Sequence, residues 1–308
     1  GRLVVPTRER MGMSTATMDR ADWLAERLTG IGASEAAAVC GVSDYETPLD
    51  VYLRKVGVAP EKPETPRMRW GTRLEGVIAD AYVEREGVAL SGTQRFLRSP
   101  VHPFMLATLD AVRTDGRVVE FKTMGERAAD ALGDQLGDDG SDVIPLHWRC
   151  QVTHQLIVTG TDVADLAVLI GGSDFRVYTI GYDERVAARM VEMEQEFWSR
   201  VERREPPEID PARDGANLAL LYPAPEGTLP LTVEAECDVN EWLNVKQEIA
   251  RLQKTADRLK TAVVAALGPF AEGHLSDGRI VARKVVHREG YTVAPSTYVD
   301  VRVKKGGK

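Results

Sequence analysis

Asp110 ends the strand-like run Ala107-Thr108-Leu109, and farther on Glu120 and Lys122 flank Phe121 in Val118-Val119-Glu120-Phe121-Lys122-Thr123. Successive side chains on a strand point to opposite faces, so Glu120 and Lys122 share one face while Phe121 turns into a core on the other. Asp115-Gly116 between the two runs is a hairpin signal that sets Asp110 beside Glu120. Two carboxylates and an ammonium then converge on one spot. Hard oxygen ligands of this kind suit Mg²⁺ or Mn²⁺, and a cation held there activates water and offsets the charge that builds on a phosphate under attack. The same residues also occur on the wet face of ordinary antiparallel sheets, where a neighbouring Lys is a surface ion pair worth little. Spacing alone leaves both readings open.

The surrounding elements must position this group. A helix is expected from about Met18 to Leu28, followed by Gly30-Ile31-Gly32-Ala33-Ser34-Glu35, a glycine turn in which Ser34 reads as an N-cap. Amides at such a helix start attract anions, and Arg27 could reach the same point. Thr47-Pro48 opens a short helix that Gly57 stops, and a longer one runs from about Arg67 to Glu86 and closes at Gly87. Trp70, Leu74, Ile78, Ala81 and Tyr82 recur there at helical spacing as one buried stripe, with Glu75 beside it either as a boundary residue or pointing along the sheet end toward Asp110. Gly125 to Asp142 reads as a loop. A helix near Pro145 carries His147, Gln151, His154 and Gln155, and its amides could orient a water or hold a nucleotide. The two histidines lack H-E-x-x-H spacing, so zinc is disfavoured. Strands at Leu166–Ile170 and Arg176–Ile180 precede a helix from Glu184 to about Arg203.

Composition narrows the class. The 308 residues are 43% hydrophobic and 28% charged, which suits a globular chain with either a large single core or one domain of about 200 residues plus an appendage. Cys40, Cys150 and Cys237 lie far apart, which argues against a disulfide framework or a zinc site and fits a reducing compartment. No apolar run approaches the roughly 20 residues of a membrane span, and no signal-peptide core is visible at the start, so a cytoplasmic protein is expected. The net charge of −8 opposes a surface coated for nucleic acid, although a metal site awaiting its cations would contribute to it. Basic residues gather near the end, from Arg279 through Arg288 to Lys308, as a solvated tail or a contact for DNA or an acidic partner.

Five blocks stand in a telling order: Arg27 with Gly30-Ile31-Gly32-Ala33-Ser34-Glu35; Trp70-Gly71-Thr72-Arg73-Leu74-Glu75; His102-Pro103-Phe104 with Thr108-Leu109-Asp110; Glu120-Phe121-Lys122; and Ile144-Pro145 with Gln151-Val152-Thr153-His154-Gln155. Over about residues 20 to 205 the chain resembles the lambda-exonuclease-like (YqaJ-type) viral recombinase nucleases of the PD-(D/E)XK superfamily. It departs at Leu109, where the superfamily often has Pro, and at Thr153, where relatives often have a second Gln. The resemblance implies an α/β core with a mixed central sheet flanked by helices. It also implies a Mg²⁺-dependent (or Mn²⁺-dependent) exonuclease with two ions, digesting duplex DNA from 5′-phosphorylated ends and leaving 3′ single strands for a phage-type annealing protein, in the host cytoplasm if phage-encoded. Asp110, Glu120 and the Phe121 carbonyl become metal ligands and Glu75 a further acid at the second ion. Lys122 becomes the residue that orients and helps deprotonate water, with Gln151 in support, and Arg27, Ser34 and Gln155 become contacts for the 5′-phosphate or DNA. Relatives form ring-shaped homotrimers. A single-strand or structure-specific nuclease of the same superfamily, or a non-catalytic DNA-end-binding protein, are the rival readings.

The rest differs in character. Domain boundaries are expected at 1–17 (flexible), 18–205 (core), 206–237 (a proline-rich surface connector) and 238–308 (appendage). Trp242, Val245, Ile249, Leu252, Ala256, Leu259, Val263 and Ala266 alternate spacings of three and four, the pattern of a heptad seam. Such a seam either packs back on its own chain, against Val186, Met190, Met193, Phe197 and Val201, or makes a subunit contact. Two strands, Arg279 to Val286 and Tyr298 to Val303, are expected after Gly268-Pro269.

Overall fold

The computed structural model describes residues 20–224, 226–287 and 290. The start expected to be flexible, the strand expected over Tyr298–Val303, the basic residues from Arg288 onward and Pro225 of the connector lie outside the described residues. Two compact units meet in the chain between Pro223 and Ala224.

The first unit runs α1 (Arg20–Arg27), β1 (Ile31–Gly32), α2 (Ala36–Val39), α3 (Pro48–Lys55), α4 (Pro66–Glu86), β2 (Leu90–Arg98), β3 (Met105–Arg113), β4 (Val118–Met124), α5 (Glu126–Leu132), α6 (Leu146–Thr159), β5 (Val163–Ile170), β6 (Asp174–Gly181), α7 (Glu184–Arg203) and α8 (Leu218–Leu221). The strands form one mixed sheet. β3 and β4 are the expected antiparallel hairpin, β4 and β5 run parallel, and β5 and β6 antiparallel. β2 pairs antiparallel along one whole edge of β3, with Arg95 opposite Leu109 and Thr93 opposite Ala111.

Alternation on β4 assigns its residues to two cores. Val118 joins Leu166 and Val168 under Trp148, Val152 and Leu156 of α6. Val119 and Phe121 join Ala167 under Ile78 and Tyr82 of α4. The sheet is therefore a middle layer, and Glu120, between Val119 and Phe121, faces α6. A third cluster packs Leu49 and Leu53 of α3 on Ile31, Phe197 and Val201, while Met190 of α7 lies with Ala36, Ala37 and Cys150. Burying each such side chain contributes about 1.5–3 kcal/mol. Gly30 is demanded by space, since a Cβ there would stand 2.6 Å from the Phe104 carbonyl oxygen.

Four expectations are corrected. Trp70 is 59% exposed and stacks only with Arg73, whose guanidinium lies 5.4 Å from the ring centroid, so the buried stripe of α4 is confined to Ile78 and Tyr82. Trp70 lies instead beside the end of β4, where with Thr123, Met124 and Gly125 it lines an open hollow. Gly125 to Asp142 is not simply a loop: it contains α5, and Asp139 pins its end by accepting the Val177 amide at 2.8 Å and pairing with Arg85 at 2.8 Å. The stretch after Glu205 is not a plain surface connector. Asp214, fully buried, accepts the Thr47 hydroxyl and, at 2.8 Å, the Asp210 amide, while Asn217 donates to Asp50 at 2.9 Å, which ties residues 206–223 to the start of α3. Ser34 is not an N-cap: it lies inside a 3₁₀ turn over Ala33–Glu35 and is exposed, and Gly32 takes the cap position.

The second unit contains α9 (Val233–Leu267), β7 (Glu272–His274) and β8 (Ile280–Ala282). Thr232 caps α9 by accepting the Ala235 amide at 3.3 Å. The strand expected from Arg279 shortens to β8 and pairs with β7 across the Asp277-Gly278 turn, where Gly278 has φ +87°. Among the described residues no helix is long and apolar enough to cross a membrane.

Candidate active site

β3 has an interrupted edge. β4 pairs with it only at the hairpin end, Ala111 with Val119 and Val112 with Val118, and β1 only at the opposite end, Gly32 with Leu106. Because Leu106 also pairs with Arg98 of β2, and Ala111 with Thr93, β1 and β4 occupy the same edge. Between them, among the described residues, the edge from Ala107 to Asp110 has no strand partner. Asp110 stands where β3 and β4 part. Its Oδ2 accepts the Phe121 amide at 2.9 Å, a side chain taking the place of a ladder bond. The N–H and C=O of one strand residue point to the same edge, so the Phe121 carbonyl faces this gap as well.

Glu120 is almost wholly buried and fully engaged. Lys122 Nζ donates to its Oε1 at 2.6 Å, Gln151 Nε2 donates to the same oxygen, and Gln155 Nε2 donates to Oε2 at 2.6 Å. Lys122 also donates to Gln151 Oε1 at 2.9 Å. The hairpin and one face of α6 thus lock together. Glu75 reaches the same neighbourhood from α4 and accepts Gln94 Nε2 at 2.7 Å.

The charges here are perturbed together. Burial, reinforced by the Glu120 carboxylate, raises the Asp110 pKa well above the usual carboxylate range, and burial with Glu120 also raises Glu75. Burial alone would lower Lys122, but Glu120 and Asp110 overcome it and hold the ammonium above its ordinary value. A cluster in which two acids resist ionisation is short of positive charge.

Arg27 approaches the open edge through Trp23: its guanidinium lies 4.8 Å from the ring centroid, and Trp23 Nε1 donates to Thr108 Oγ1 at 3.0 Å, two residues before Asp110. Arg27 also pairs with buried Glu35 at 3.4 Å. Ser34 makes no such link. Gln155, which the resemblance put at the DNA, is fully buried on Glu120, so its amide positions that carboxylate and cannot touch a strand.

Several residues escaped the sequence reading. Lys55 donates to Glu35 at 2.7 Å and to the Arg27 carbonyl at 2.6 Å, and Arg54 stands 3.8 Å from the same carboxylate. Burial pushes Glu35 up, yet Lys55 and Arg27 bring it below its ordinary value; burial leaves Lys55 lowered despite Glu35. His154, fully buried, has Nε2 2.9 Å from the Leu106 carbonyl and Nδ1 2.9 Å from Glu194. One proton therefore sits on Nε2 and another between Nδ1 and the carboxylate, binding α6 to β3 and α7. Gln94 carries φ +51° in mid-strand opposite Asp110, a left-handed conformation rare for any residue but glycine. None of these has a local pattern; each is a tertiary pairing, although polar residues inside apolar stretches were a weak hint for His154.

The donor set fits a hard cation. Among the described residues no three His, Cys, Asp or Glu side chains stand ready as a cage by themselves. Mg²⁺, however, takes one or two carboxylates and keeps several waters. Asp110, Glu120 and the Phe121 carbonyl supply that number of oxygens, and the buried Gln155 Oε1 beside them lacks a hydrogen-bond partner.

Residues 22–162 match the family model of the YqaJ-like viral recombinase domain. Protein YqaJ of Bacillus subtilis (strain 168) is 28% identical over 254 residues, covering 80% of this chain and 77% of that protein. The alkaline exonuclease LHK-Exo of Laribacter hongkongensis superposes with a TM-score of 0.50 at 17% identity, over 60% of this chain and 93% of that one, and its complex with dAMP matches equally. The mixed sheet flanked by helices is therefore the fold shared with that alkaline exonuclease, and residues 22–162 are similar to the YqaJ-like viral recombinase domain.

Proposed function

We propose that this chain is a metal-dependent DNA exonuclease that digests duplex DNA from 5′-phosphorylated ends in the 5′-to-3′ direction, leaving 3′ single strands for a phage-type annealing protein. The observation that carries this reading is the meeting of Asp110, Glu120, Lys122 and Gln151 at the open edge of β3. The fold shared with an alkaline exonuclease that binds dAMP supports nucleotide release as the outcome.

Asp110, Glu120 and the Phe121 carbonyl would hold one Mg²⁺ or Mn²⁺, with Glu75 at a second ion or its waters. When bound, such ions lower the pKa of water and offset charge on the phosphate and the leaving oxygen. Lys122, fixed by Glu120 and Gln151, has one remaining N–H with which to orient the attacking water. The water oxygen bonds to phosphorus, the P–O3′ bond breaks, and the 3′-oxygen leaves with a proton while the 5′-phosphate stays on the shortened strand. Gln151 and Gln155 hold Glu120 so that its oxygens cannot turn away. Arg27, beside Trp23 and Thr108, is the cation placed to receive the terminal phosphate, and Ser34 lies on the exposed turn nearby.

The test offers linear duplexes with 5′-phosphate or 5′-hydroxyl ends and closed circles, in Mg²⁺ and in EDTA, and follows mononucleotide release. Release in Mg²⁺ from the phosphorylated ends alone is expected. Cutting of circles would make the chain an endonuclease, and retention of DNA without products would make it an end-binding protein.

A further inference from the structure

Glu35 stands at the centre of a buried charge cluster that the reaction chemistry leaves unused. Lys55 Nζ donates to its Oε2 at 2.7 Å and the Gly32 amide donates to the same oxygen at 2.8 Å, while the guanidinium of Arg27 lies 3.4 Å from Oε1 and that of Arg54 3.8 Å. Lys55 also donates to the Arg27 carbonyl at 2.6 Å. One ammonium thus fixes Arg27 twice, at the backbone directly and at the side chain through Glu35. That carbonyl lies at the end of α1, where helix carbonyls lack intrahelical partners, and Lys55 closes α3, whose Leu49 and Leu53 are packed in the core. A Cβ at position 32 would stand 3.3 Å from Glu35 Oε2 and 3.8 Å from Arg27 Nη2, so glycine leaves the carboxylate uncrowded.

The two cations share this carboxylate unequally. Lys55 takes the short contact and leaves Arg27 the long one, so Glu35 aims the guanidinium without saturating its five N–H donors. Trp23, stacked on the guanidinium and bonded to Thr108, holds it from another side. Arg54 is satisfied elsewhere, by Glu46, which also takes Lys62 at 2.8 Å. Among the described residues four cations therefore share two carboxylates, and Arg27 is the one led toward the open edge of β3. A terminal phosphate monoester carries nearly two negative charges where an internal diester carries one, so a guanidinium fixed within this positive excess discriminates in favour of the end.

We infer that Glu35 and Lys55 are positioning residues for Arg27, and that through it they set the preference for 5′-phosphorylated over 5′-hydroxyl ends. The inference rests on the reading of Arg27 as the receiver of the terminal phosphate and adds the two residues that hold its guanidinium in place. Both are buried and neither touches the strand.

The experiment measures kcat and KM for mononucleotide release from linear duplexes with 5′-phosphate or 5′-hydroxyl ends. It compares the parent with Glu35→Gln plus Lys55→Met, each with and without Arg27→Ala. The paired change removes one charge of each sign and so avoids the stranded ammonium of Glu35→Gln alone. Lys55→Met by itself is the second variant, in which the carboxylate draws Arg27 in. In both variants the phosphate preference, the ratio of the two kcat/KM values, is expected to fall about tenfold or more, through a higher KM for phosphorylated ends. Once Arg27 is alanine, the paired change should alter that ratio less than about twofold. An equal loss on both kinds of end, or a further loss of preference in the absence of Arg27, would overturn the inference and leave the phosphate reading standing. A parent indifferent to the 5′-phosphate would overturn that reading and the inference together.

Discussion

Gln94→Gly separates positioning from stability. Gln94 holds φ +51° in the middle of β2 and donates to Glu75 at 2.7 Å. Glycine adopts that φ freely, which relieves about 1–2 kcal/mol of strain. It also adds about 0.5–1 kcal/mol of backbone entropy cost and removes a hydrogen bond to a charged group that is worth about 1 kcal/mol at this exposed position. These contributions nearly cancel, so the urea midpoint should move by no more than about 1 kcal/mol equivalent. Glu75, released from its tether at the edge of the cluster, should lose its set position, and exonuclease turnover should fall about tenfold or more, the equivalent of about 1.4 kcal/mol. Gln94→Asn tolerates the same φ but is one methylene short, so it should lose turnover similarly while keeping the fold. Mononucleotide release on 5′-phosphorylated duplex, read beside the urea curves, decides the matter. Wild-type turnover in both variants refutes the argument, and so does a loss of turnover that merely tracks unfolding.

Lys122→Ala should bind labelled duplex within about twofold of the parent in a gel-shift assay while turnover falls about a thousandfold, since in the proposed mechanism the lost donor acts on the reacting oxygen and not on the backbone of the strand. Glu35→Gln strands the buried Lys55 ammonium and should cost about 3–5 kcal/mol in urea unfolding. Because the folded pKa of Glu35 is lowered, its contribution is complete above about pH 4.3 and disappears as pH falls through the folded value, so stability of the parent should drop more steeply below that pH than that of the variant. Asp214→Ala unpins residues 206–223 from Thr47, whose hydroxyl keeps Asp50, and leaves the Asp210 amide unpaired, so it should cost about 2 kcal/mol, or roughly 4–8 °C in a thermal melt.

What the chain discloses before folding depends on whether the relevant interaction is local. The β3–β4 hairpin, its Asp-Gly turn and the facing of Glu120 with Lys122 follow from a period of two over a few residues, and α7 begins after Asp183, which caps it by accepting the Arg185 amide at 2.8 Å. β2 was missed because Ser91, Gly92, Thr93 and Gln94 do not alternate with apolar residues, and its kink at Gln94 is held by a glutamate on another element. Trp70 misled because helical spacing reports which residues share a face, not whether a layer lies beneath that face. The Glu35 cluster joins three segments, and Glu194 meets His154 across two helices, so no window of sequence contains either pair. Glu75 stood in the helical spacing only as an acid beside a stripe, and geometry supplied its physical partner, Gln94. The order is general for a site assembled at a parting of strands: the strands themselves write their acids in a short pattern, whereas the helices that steady those acids do so through single polar side chains whose sequence neighbours are ordinary core. Gln151 and Gln155 are the instance here, one turn apart on α6 and indistinguishable by spacing from surface amides until both are seen to close on Glu120.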